Sequence, residues 1–445
     1  MALISRKEFL ATYWSPYPAA ESNWLDVSSY LLRLDLSEAP QVVAGRLRLA
    51  DQNLSIESNS ARITLDCEES MSWIHPQQRE LPVSLELFSD GDLVAAEIVR
   101  PPGDSRAKVL RLLLLAPGIR IEPSTTPEFS VSRSEQWQSF TSSIREYFAS
   151  QGFIETLTPT LVPSPGTEPF LDPFETHLEI GSSKQKFYLP TSPEFHLKQL
   201  LVRGWTKIFE MKTCFRNGEV GQHHQPEFTM LEWYRAFAPL DLIAIDVESL
   251  LQKLVVDLKI NIPKLRRTTM SHLFAEAFSG FQLRPETSLK DLRDLASREK
   301  IEISPDDSFD DLFFRLFLER IEAHLGADGP LLVSHYPPSQ AALSRIGPHG
   351  FAERFEIYWR GLEIANAFHE LNDPSENENR FALDAAKKSE IGKAAVARDE
   401  NLVSALKIGM PPSGGIALGV DRLFMALYDL RSINETRAFP LIRPY

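Results

Sequence analysis

The sequence predicts an α+β protein in which a small β-domain precedes a larger domain of mixed helices and strands. Short apolar segments separated by turn-forming residues fill residues 1–122, and residues 240–329 are mostly helical in pattern. Apolar residues alternate with period two in strands and recur every 3.6 residues in helices. We therefore expect domains at 1–122 and 125–445, with a helical insertion at about 240–329 in the second.

The composition excludes several classes of protein. The chain has 445 residues, of which 43% are hydrophobic and 24% charged, as is typical of globular proteins with two or three domains. No run reaches the roughly 20 apolar residues that span a bilayer, and the N-terminus lacks the apolar segment of a signal peptide. We expect a cytoplasmic protein with no membrane contact.

Charge and cysteine content limit the partners further. The net charge of -14 argues against a general binder of polyanions, although a local basic face leaves tRNA open as a partner. Cys67 and Cys214 are the only cysteines and lie far apart in sequence. We expect two buried thiols rather than a disulfide framework or a zinc site.

The N-terminal β-domain is predicted from five apolar segments with turn formers between them. The segments are Gln41–Ala50, Ala61–Cys67, Leu81–Phe88, Asp92–Val99 and Val109–Leu115. This pattern indicates a five-stranded barrel of the oligonucleotide-binding type. Acidic residues outnumber basic ones through Ser124, which favours a structural or assembly role over nucleic-acid binding.

A linker and an amphipathic helix follow the β-domain. Residues Ile121–Ser132 are polar and contain proline, and aromatic and aliphatic residues then recur at helical spacing from Trp137 to Phe148. Gly152 stands where a helix C-cap is expected, before a strand at Phe153–Leu157. The helix is either an ordinary packed element or part of a dimer interface.

The stretch Thr191–Tyr234 contains a helix start at Ser192-Pro193-Glu194 and two strands joined by a polar loop. The first strand ends at Phe215-Arg216, the loop carries His223 and His224, and the second strand starts at Glu227-Phe228. Arginine and histidine side chains converge where the chain reverses, so this loop is suited to holding a polyphosphate.

Residues Arg354–Phe368 predict a β-hairpin that turns at Arg360-Gly361. Glu356 and Glu363 then share one sheet face, where two carboxylates repel each other unless a cation lies between them. The pair is a candidate Mg²⁺ site, and two solvated strand carboxylates are the simpler alternative. Asn366, Phe368 and Glu370 can share that face with Glu363 only if the strand has a bulge near Ala365.

The rest of the chain gives weaker signals. Leu331–Ser334 predicts a buried strand, and Asp373–Glu400 predicts a charged, exposed stretch. Gly414–Arg422 predicts a Gly-rich strand that leads into a helix at Leu423–Leu430. Small residues let a ligand approach such a strand closely, although tight packing against a helix explains them equally well.

These segments, in this order, resemble the three motifs of the class II aminoacyl-tRNA synthetases over about residues 125–445. The first motif is Gly152–Pro159, the second Phe215–Tyr234, and the third Gly415–Arg422 with its helix. The resemblance implies a catalytic domain with an antiparallel sheet flanked by helices and a homodimer built on the first motif. It also implies an enzyme that uses ATP and Mg²⁺ to activate an amino acid as an adenylate.

Within the class, the tracts TSPEF, HQPEFTMLEWY and RGLEIANAFHELND resemble the lysine branch. This implies that Arg216 pairs with the substrate carboxylate and the α-phosphate, that Phe228 stacks on adenine, and that Glu356 and Glu363 bind Mg²⁺. His224 and Arg422 would hold the outer phosphates. Arg216 and Arg422 are therefore the expected catalytic residues. The nucleotide site would be completed by Asn217, Gly218, Gln225, Glu363, Ile364 and Gly419.

The amino-acid pocket implied by the lysine branch is acidic and partly aromatic. Ser192, Pro193 and Glu194 would contact the amine at the reacting end of the substrate. The side-chain ammonium would be enclosed by Glu232, Tyr234, Asn366, Phe368 and Glu370. Because buried carboxylates without a cation are costly, such a pocket favours a diamine substrate.

A narrower resemblance is to the truncated lysyl-tRNA synthetase paralogues that attach (R)-β-lysine to a lysine of translation elongation factor P. The tracts SQAAL, ANAFHEL, ALKIGMP and GIALGVDR carry it. Ala417 stands where lysyl-tRNA synthetases usually have glycine, and one methyl group in a pocket wall changes substrate choice by about 1–3 kcal/mol. The implied substrate is (R)-β-lysine or lysine, and the implied acceptor is elongation factor P.

Two alternatives stay open. A lysyl-tRNA synthetase that charges tRNA is favoured by the N-terminal β-domain, which the truncated paralogues normally lack. A non-catalytic paralogue that binds an amino acid is less favoured, because it would leave the charged groups Arg216, Glu356, Glu363 and Arg422 without a task.

Overall fold

The computed structural model describes residues 41–50, 53–58, 61–66, 72–74, 80–82, 88–99, 106–116, 118, 131–394 and 396–440. They fall into two compact units, Met1–Ser134 and Glu135–Tyr445. Cys67, residues 83–87 and residues 121–130 of the expected linker lie outside the described residues.

The N-terminal unit is a closed five-stranded barrel with an added hairpin. Its strands are β1 (Gln41–Ala50), β2 (Asn53–Ser58), β3 (Ala61–Asp66), β4 (Ser72–Ile74), β5 (Glu80–Pro82), β6 (Leu93–Val99) and β7 (Ala107–Ala116). The sheet runs β3-β2-β1-β6-β7, and a parallel pairing of β3 with β7 closes it. This closure confirms the predicted barrel of the oligonucleotide-binding type.

The barrel core follows the alternation of the strands. Leu47, Ile56, Ile63, Val94 and Leu112 are almost completely buried. Strand β2 was not predicted, because its sequence NLSIES contains four polar residues among six. Instead of the predicted strand Leu81–Phe88, the described residues contain only the short β5, with Phe88 outside it.

The second unit contains an eight-stranded sheet and nine helices of more than one turn among the residues described. In chain order these elements are α1 (Val131–Ser150), β8 (Ile154–Glu155), β9 (Glu175–Ile180), β10 (Ser183–Tyr188), α2 (Glu194–Val202), β11 (Lys207–Phe215), β12 (Glu227–Ala236), α3 (Leu240–Leu258), β13 (Arg266–Thr269), α4 (Met270–Ala277), α5 (Leu289–Arg298), α6 (Phe309–Arg320), β14 (Leu331–Tyr336), β15 (Ala352–Trp359), β16 (Leu362–His369), α7 (Pro374–Glu390), α8 (Glu400–Gly409), β17 (Ser413–Gly419) and α9 (Val420–Tyr428). Strands β9 and β10 form a separate hairpin.

The large sheet has the order β13-β14-β15-β16-β17-β12-β11-β8. Its pairs are antiparallel except at the two ends, where β13 runs parallel to β14 and β8 parallel to β11. Three strands that are far apart in sequence, β12, β17 and β16, are therefore direct neighbours at the centre. This neighbourhood brings the second motif, the third motif and the acidic hairpin together.

One face of the large sheet packs on helices, and the opposite face is open to ligands. Trp233, Phe148, Phe209 and Phe424 are buried in the core between the sheet and helices α1, α3 and α9. Because successive strand residues point to opposite faces, Glu232 and Tyr234 on either side of Trp233 face away from this core. The class II sheet flanked by helices, expected from the resemblance, is thus confirmed.

The predicted hairpin and its bulge are both present. Arg360 and Gly361 have φ angles of 55° and 73°, as a tight two-residue turn requires. The pairing steps from Ile357 with Ala365 to Tyr358 with Glu363, so Ile364 is the extra residue of a bulge. The predicted bulge near Ala365 is confirmed.

Several element boundaries differ from those expected. Strand β8 covers only Ile154–Glu155, and helix α9 begins at Val420 rather than Leu423. The stretch Asp373–Glu400 is charged and mostly exposed, as expected, but it also contains helix α7, which was not predicted. Although most of its residues are polar or charged, the helix buries Phe381 and Lys388. The ring of Phe381 and the aliphatic part of the Lys388 side chain pack against neighbouring elements.

Helices α4, α5 and α6 form a second core around Phe274, Phe278, Phe313 and Leu316. Helix α3, although expected to belong to the same insertion, contributes Ile243, Val247 and Leu250 to the main core. Serine capping boxes start both α5 and α6, with Asp291 and Asp311 as the returning acids.

Across the described residues, we find no helix with the length and apolar character needed to cross a membrane.

Candidate active site

A cavity of about 540 Å³ opens on the free face of the large sheet. Most of the site residues expected from the sequence line it: Ser192, Glu194, Arg216, His224, Gln225, Phe228, Glu232, Tyr234, Glu356, Glu363, Ile364, Asn366, Phe368, Glu370, Ala417, Gly419 and Arg422. Segments separated by up to 230 residues of sequence thus meet in one space.

Three expected site residues do not line the cavity. Pro193 is buried at the N-cap of helix α2. Asn217 is exposed, and its backbone N–H donates to the carbonyl of Asp172 at 2.7 Å. Gly218 has a φ of 83°, which suits it to turning the loop.

Arg216 lies at one end of the cavity with its guanidinium over an aromatic ring. Its Cζ is 5.0 Å from the centre of the Phe228 ring, and Nη1 is 3.7 Å from Oε1 of Glu219. Nε of Arg216 is buried and has no hydrogen-bond partner in the described part of the chain. A buried donor without a partner indicates that this end of the cavity is built for an anion.

His224 and Arg422 form a second polar group at the same end. Nη2 of Arg422 lies 2.6 Å from Nε2 of His224, and its Nη1 donates to the carbonyl oxygen of Glu363 at 2.9 Å. Because arginine can only donate, Nε2 of His224 accepts this bond and the ring is neutral. Burial and the neighbouring Arg422 lower the pKa of His224, which agrees with a neutral ring.

Glu356 is held by a dense set of donors. The hydroxyls of Tyr336 and Tyr358 each donate to its Oε2 at 2.5 Å, and Asn366 Nδ2 donates to Oε1 at 3.3 Å. Arg354 forms an ion pair with the same carboxylate. The carboxylate of Glu356 is therefore fixed in position before any ligand arrives.

The carboxylate of Glu363, in contrast, accepts no hydrogen bond from the described residues. Burial and the nearby Glu356 raise its pKa to about 7, while Arg422, Arg354 and Arg216 act in the opposite direction. The described residues contain no cluster of three or more His, Cys, Asp or Glu that could hold a metal ion. A two-carboxylate site suits Mg²⁺, which commonly takes one or two carboxylates together with substrate phosphates.

The other end of the cavity holds three carboxylates and one ammonium group. Nζ of Lys198 lies 2.5 Å from Oε1 of Glu194 and 2.7 Å from Oε2 of Glu370. The Lys198 side chain is 3% exposed and that of Glu370 1%. The hydroxyl of Tyr234 donates to Oε2 of Glu232 at 3.1 Å. Burial and Glu194 raise the pKa of Glu232 well above its ordinary value.

Residues with small side chains form the floor of this end. Ala417 on β17 pairs with Glu232 on one side and Asn366 on the other, so its methyl group lies between them. A Cβ atom at Gly415 would come within 2.3 Å of both the Tyr234 ring and the Glu370 carboxylate. The glycine is required because these two side chains occupy the space above it.

Some residues in and around the cavity were not expected from the sequence. Lys198 is the most important: it does not line the cavity itself but pairs with Glu194 and Glu370, which do. Its signal was available, because it follows Glu194 by four residues in the predicted helix. Glu168, Phe170, Leu171 and Leu343 line the cavity. They come from loops without a recognisable motif, so no pattern in their own sequence points to the site.

A short segment near the end of the described chain, Arg431–Arg437, clasps the loop between β11 and β12. Ile433 N–H donates to the Gln222 carbonyl at 2.9 Å, and Gln225 Nε2 donates to Oδ1 of Asn434 at 2.6 Å. We call this segment the C-terminal clasp. It fixes the loop that carries His224, and Gln225 is buried beneath it.

Comparison with known proteins supports the resemblance to the class II synthetases. The family described as tRNA synthetases class II (D, K and N) matches residues 132–443. Elongation factor P--(R)-beta-lysine ligase of Edwardsiella ictaluri (strain 93-146) is 37% identical over 327 residues, which are 72% of this chain and 98% of that protein. The protein of the same name from Pectobacterium atrosepticum matches with the same identity and the same coverage.

A third relative extends this comparison. The protein of the same name from Enterobacter sp. (strain 638) is 38% identical over 307 residues, which are 67% of this chain and 92% of that protein. These relatives are matched over nearly their whole length, whereas more than a quarter of this chain lies outside each match.

Proposed function

The chain belongs to the class II tRNA synthetase family for aspartate, lysine and asparagine, among relatives named elongation factor P--(R)-beta-lysine ligase, and we propose that it is such a ligase. It activates (R)-β-lysine, or lysine, with ATP as an aminoacyl-adenylate. It then transfers the aminoacyl group to a lysine side chain of translation elongation factor P. The observation that carries the proposal is the joining of an anion-binding end and an acidic end in one cavity.

The first step requires no general base in the cavity. The substrate carboxylate is already ionised, and its oxygen attacks the α-phosphorus of ATP while pyrophosphate leaves. Arg216, whose buried Nε has no hydrogen-bond partner among the described residues, stabilises the negative charge that gathers on the α-phosphate. His224 and Arg422 orient the leaving phosphates, and catalysis rests on positioning and charge neutralisation.

We propose that Glu356 and Glu363 bind Mg²⁺. The raised pKa of Glu363 and the fixed carboxylate of Glu356 support this, because a cation removes the repulsion between them. When bound, Mg²⁺ would neutralise charge on the phosphates of ATP. Phe228 provides a flat surface for adenine, and Ile364 and Gly419 line the same region.

The acidic end of the cavity is proposed to bind the ammonium groups of the amino acid. Oδ1 of Asn366 is buried and has no hydrogen-bond partner among the described residues, so it can accept from an ammonium group. Ala417 places a methyl group between Glu232 and Asn366, at the part of the pocket where substrate isomers differ in position. This supports a narrower choice of substrate than a glycine would allow.

The second step forms an amide bond. The ε-amine of the acceptor lysine, after losing a proton, attacks the carbonyl carbon of the adenylate, and AMP leaves with the former carboxylate oxygen. We place this reaction in the cytoplasm, where ATP and the translation machinery are found. We also propose a homodimer through Gly152–Pro159, supported by the exposed side chains of Ile154 (55%) and Leu157 (95%).

The acceptor assay tests the function directly. The full chain is incubated with ATP, Mg²⁺ and (R)-β-lysine or lysine, together with either elongation factor P or tRNA. We expect a mass increase of one aminoacyl group on elongation factor P and no charging of tRNA.

The tRNA arm of this assay matters because the N-terminal barrel is of a type that also binds oligonucleotides. Charging of tRNA with lysine, with no modification of elongation factor P, would replace the proposed ligase by a lysyl-tRNA synthetase. Absence of amino-acid-dependent exchange between ATP and pyrophosphate would reject both activities.

Glu370→Gln is expected to weaken amino-acid binding while leaving the chemical step largely intact. A hydrogen bond to a charged group contributes roughly 1.5–3 kcal/mol, so KM for the amino acid should rise about 10- to 100-fold. Exchange kinetics give KM and kcat separately. Glu378→Gln, on helix α7 and paired with Lys407 outside the cavity, is the matched control. An unchanged KM in Glu370→Gln would show that Glu370 does not bind the substrate.

A further inference from the structure

A buried cation lies behind the acidic end of the cavity. Lys198 is buried in helix α2 and touches two of the three carboxylates, those of Glu194 and Glu370. Glu232, the third, has the Tyr234 hydroxyl as its one hydrogen-bond donor among the described residues. The groups that face one another here come from helix α2, from strand β12 and from Glu370, which directly follows strand β16.

Burying a lysine for stability alone is a poor arrangement. Taking an ion pair out of water costs about as much as the attraction returns, and an apolar side chain often serves as well. Lys198 therefore calls for an explanation beyond stability, and its position against the substrate pocket offers one.

A charge count shows what Lys198 does. Glu194, Glu232 and Glu370 together carry three negative charges when ionised, and Lys198 cancels one of them. Two net negative charges remain, or three when Glu168, which also lines the cavity, is ionised. Either excess suits the two ammonium groups of a diamino acid. The carboxylate of such a substrate lies at the far end of the cavity, beside Arg216.

We propose that Lys198 is a positioning residue that keeps Glu194 and Glu370 ionised and in place, and so leaves the empty pocket with the negative charge that a diamino acid requires. This inference rests on the proposed function for the identity of the substrate. Lys198 acts through Glu194 and Glu370 and does not itself touch the reacting atoms.

The protonation behaviour of the group agrees with this role. Burial raises the pKa of Glu370 to about 7, Lys198 opposes that rise, and Glu194 adds to it. Burial opposes the charged form of Lys198, yet Glu194 and Glu370 together raise its pKa above the ordinary value. Glu168, whose pKa is raised by burial and by Glu194, adds one more acid at the edge of the cluster.

The sign of the pH effect follows from these directions. A carboxyl group with a raised pKa loses its charge as the pH falls through that pKa, and binding of an ammonium group weakens with it. On the acid side of the pH profile, kcat/KM for the amino acid falls as the cluster as a whole becomes protonated. Removing Lys198 should move that acid side to higher pH.

The test uses Lys198→Met, which keeps the length of the side chain and removes its charge. Exchange between ATP and pyrophosphate is measured from pH 6 to 9 with (R)-β-lysine and with lysine. An opposite charge within about 4–6 Å shifts a carboxyl pKa by roughly 1–3 units, so the acid side should move up by at least about one pH unit. KM for ATP should stay within about twofold of the wild-type value, because the substitution leaves the residues that bind the phosphates unchanged.

Two further variants separate this role from a structural one. Lys212→Met removes a lysine that is similarly buried and paired with Glu210 on its own strand, β11, an acid that does not line the cavity. The pH profile of Lys212→Met should match that of the wild type even if the variant is less stable. Glu194→Gln removes an acid that raises the pKa of Glu370, so it should move the acid side to lower pH.

Each result decides one question. An unmoved acid side in an active Lys198→Met enzyme would overturn the role of Lys198 alone. If Lys198→Met does not fold, Lys198→Gln takes its place, and an unmoved acid side in that variant overturns the role instead. If the wild-type chain supports no exchange with any diamino acid, the proposed function fails, and the role of Lys198 is read from the pH dependence of lysine binding by calorimetry.

Discussion

Arg216→Ala should lower the rate of exchange between ATP and pyrophosphate by about 100- to 1,000-fold, the loss found when one donor to a developing negative charge is removed. The side chain supplies a guanidinium whose buried Nε has no other partner among the described residues. KM for the amino acid should rise as well, because Arg216 also pairs with the substrate carboxylate. Steady-state exchange with saturating ATP and lysine gives the rate.

The fold should survive this substitution. Arg216 is partly exposed, and its ion pair with Glu219 at 3.7 Å is of the kind that contributes roughly 0–1 kcal/mol. Thermal unfolding should therefore match the wild type, and Arg203→Ala, on an exposed arginine after helix α2, is the matched control. Normal exchange by Arg216→Ala would show that another group stabilises the α-phosphate.

Glu363→Gln should raise the Mg²⁺ concentration needed for half-maximal exchange by at least about 10-fold and lower the maximal rate. Glutamine keeps the shape of the side chain but offers Mg²⁺ a neutral oxygen in place of a carboxylate, and hard divalent cations prefer charged oxygen ligands. The measurement is exchange rate against Mg²⁺ concentration at fixed ATP.

Glu353→Gln is the control, because it removes an acid from the same hairpin outside the cavity. Glu353 pairs with His369 at 2.7 Å and does not line the cavity. Identical Mg²⁺ dependence in Glu363→Gln and the wild type would leave Glu356 without a partner for the metal and would reject the proposed site.

Most of the central framework was predictable from the sequence because its signals are local. The two strands on either side of the loop at Arg216–Pro226 end and begin at the predicted residues. The bulge at Ile364 could be predicted because Glu363 and Asn366 have opposite parity, and a single pocket for both requires one extra residue.

The parts that were missed depend on contacts between distant segments. Lys198 looks like a surface lysine in a short helix, and only the position of β16 shows that its ammonium meets Glu370. Helix α7 was hidden by its charged composition. Its Lys388 donates to the carbonyl of Leu171 at 2.7 Å, a contact over 217 positions that no local pattern indicates.

The C-terminal clasp joins the nucleotide loop to the end of the chain. Residues 431–437 follow every strand of the large sheet, and they hold the nucleotide loop that was synthesised about 200 residues earlier. Strand β17 and helix α9 come directly before the clasp, so the end of the chain supplies both the third motif and the contacts that hold this loop. A chain that ends before residue 431 would keep every strand of the large sheet but would lack the clasp.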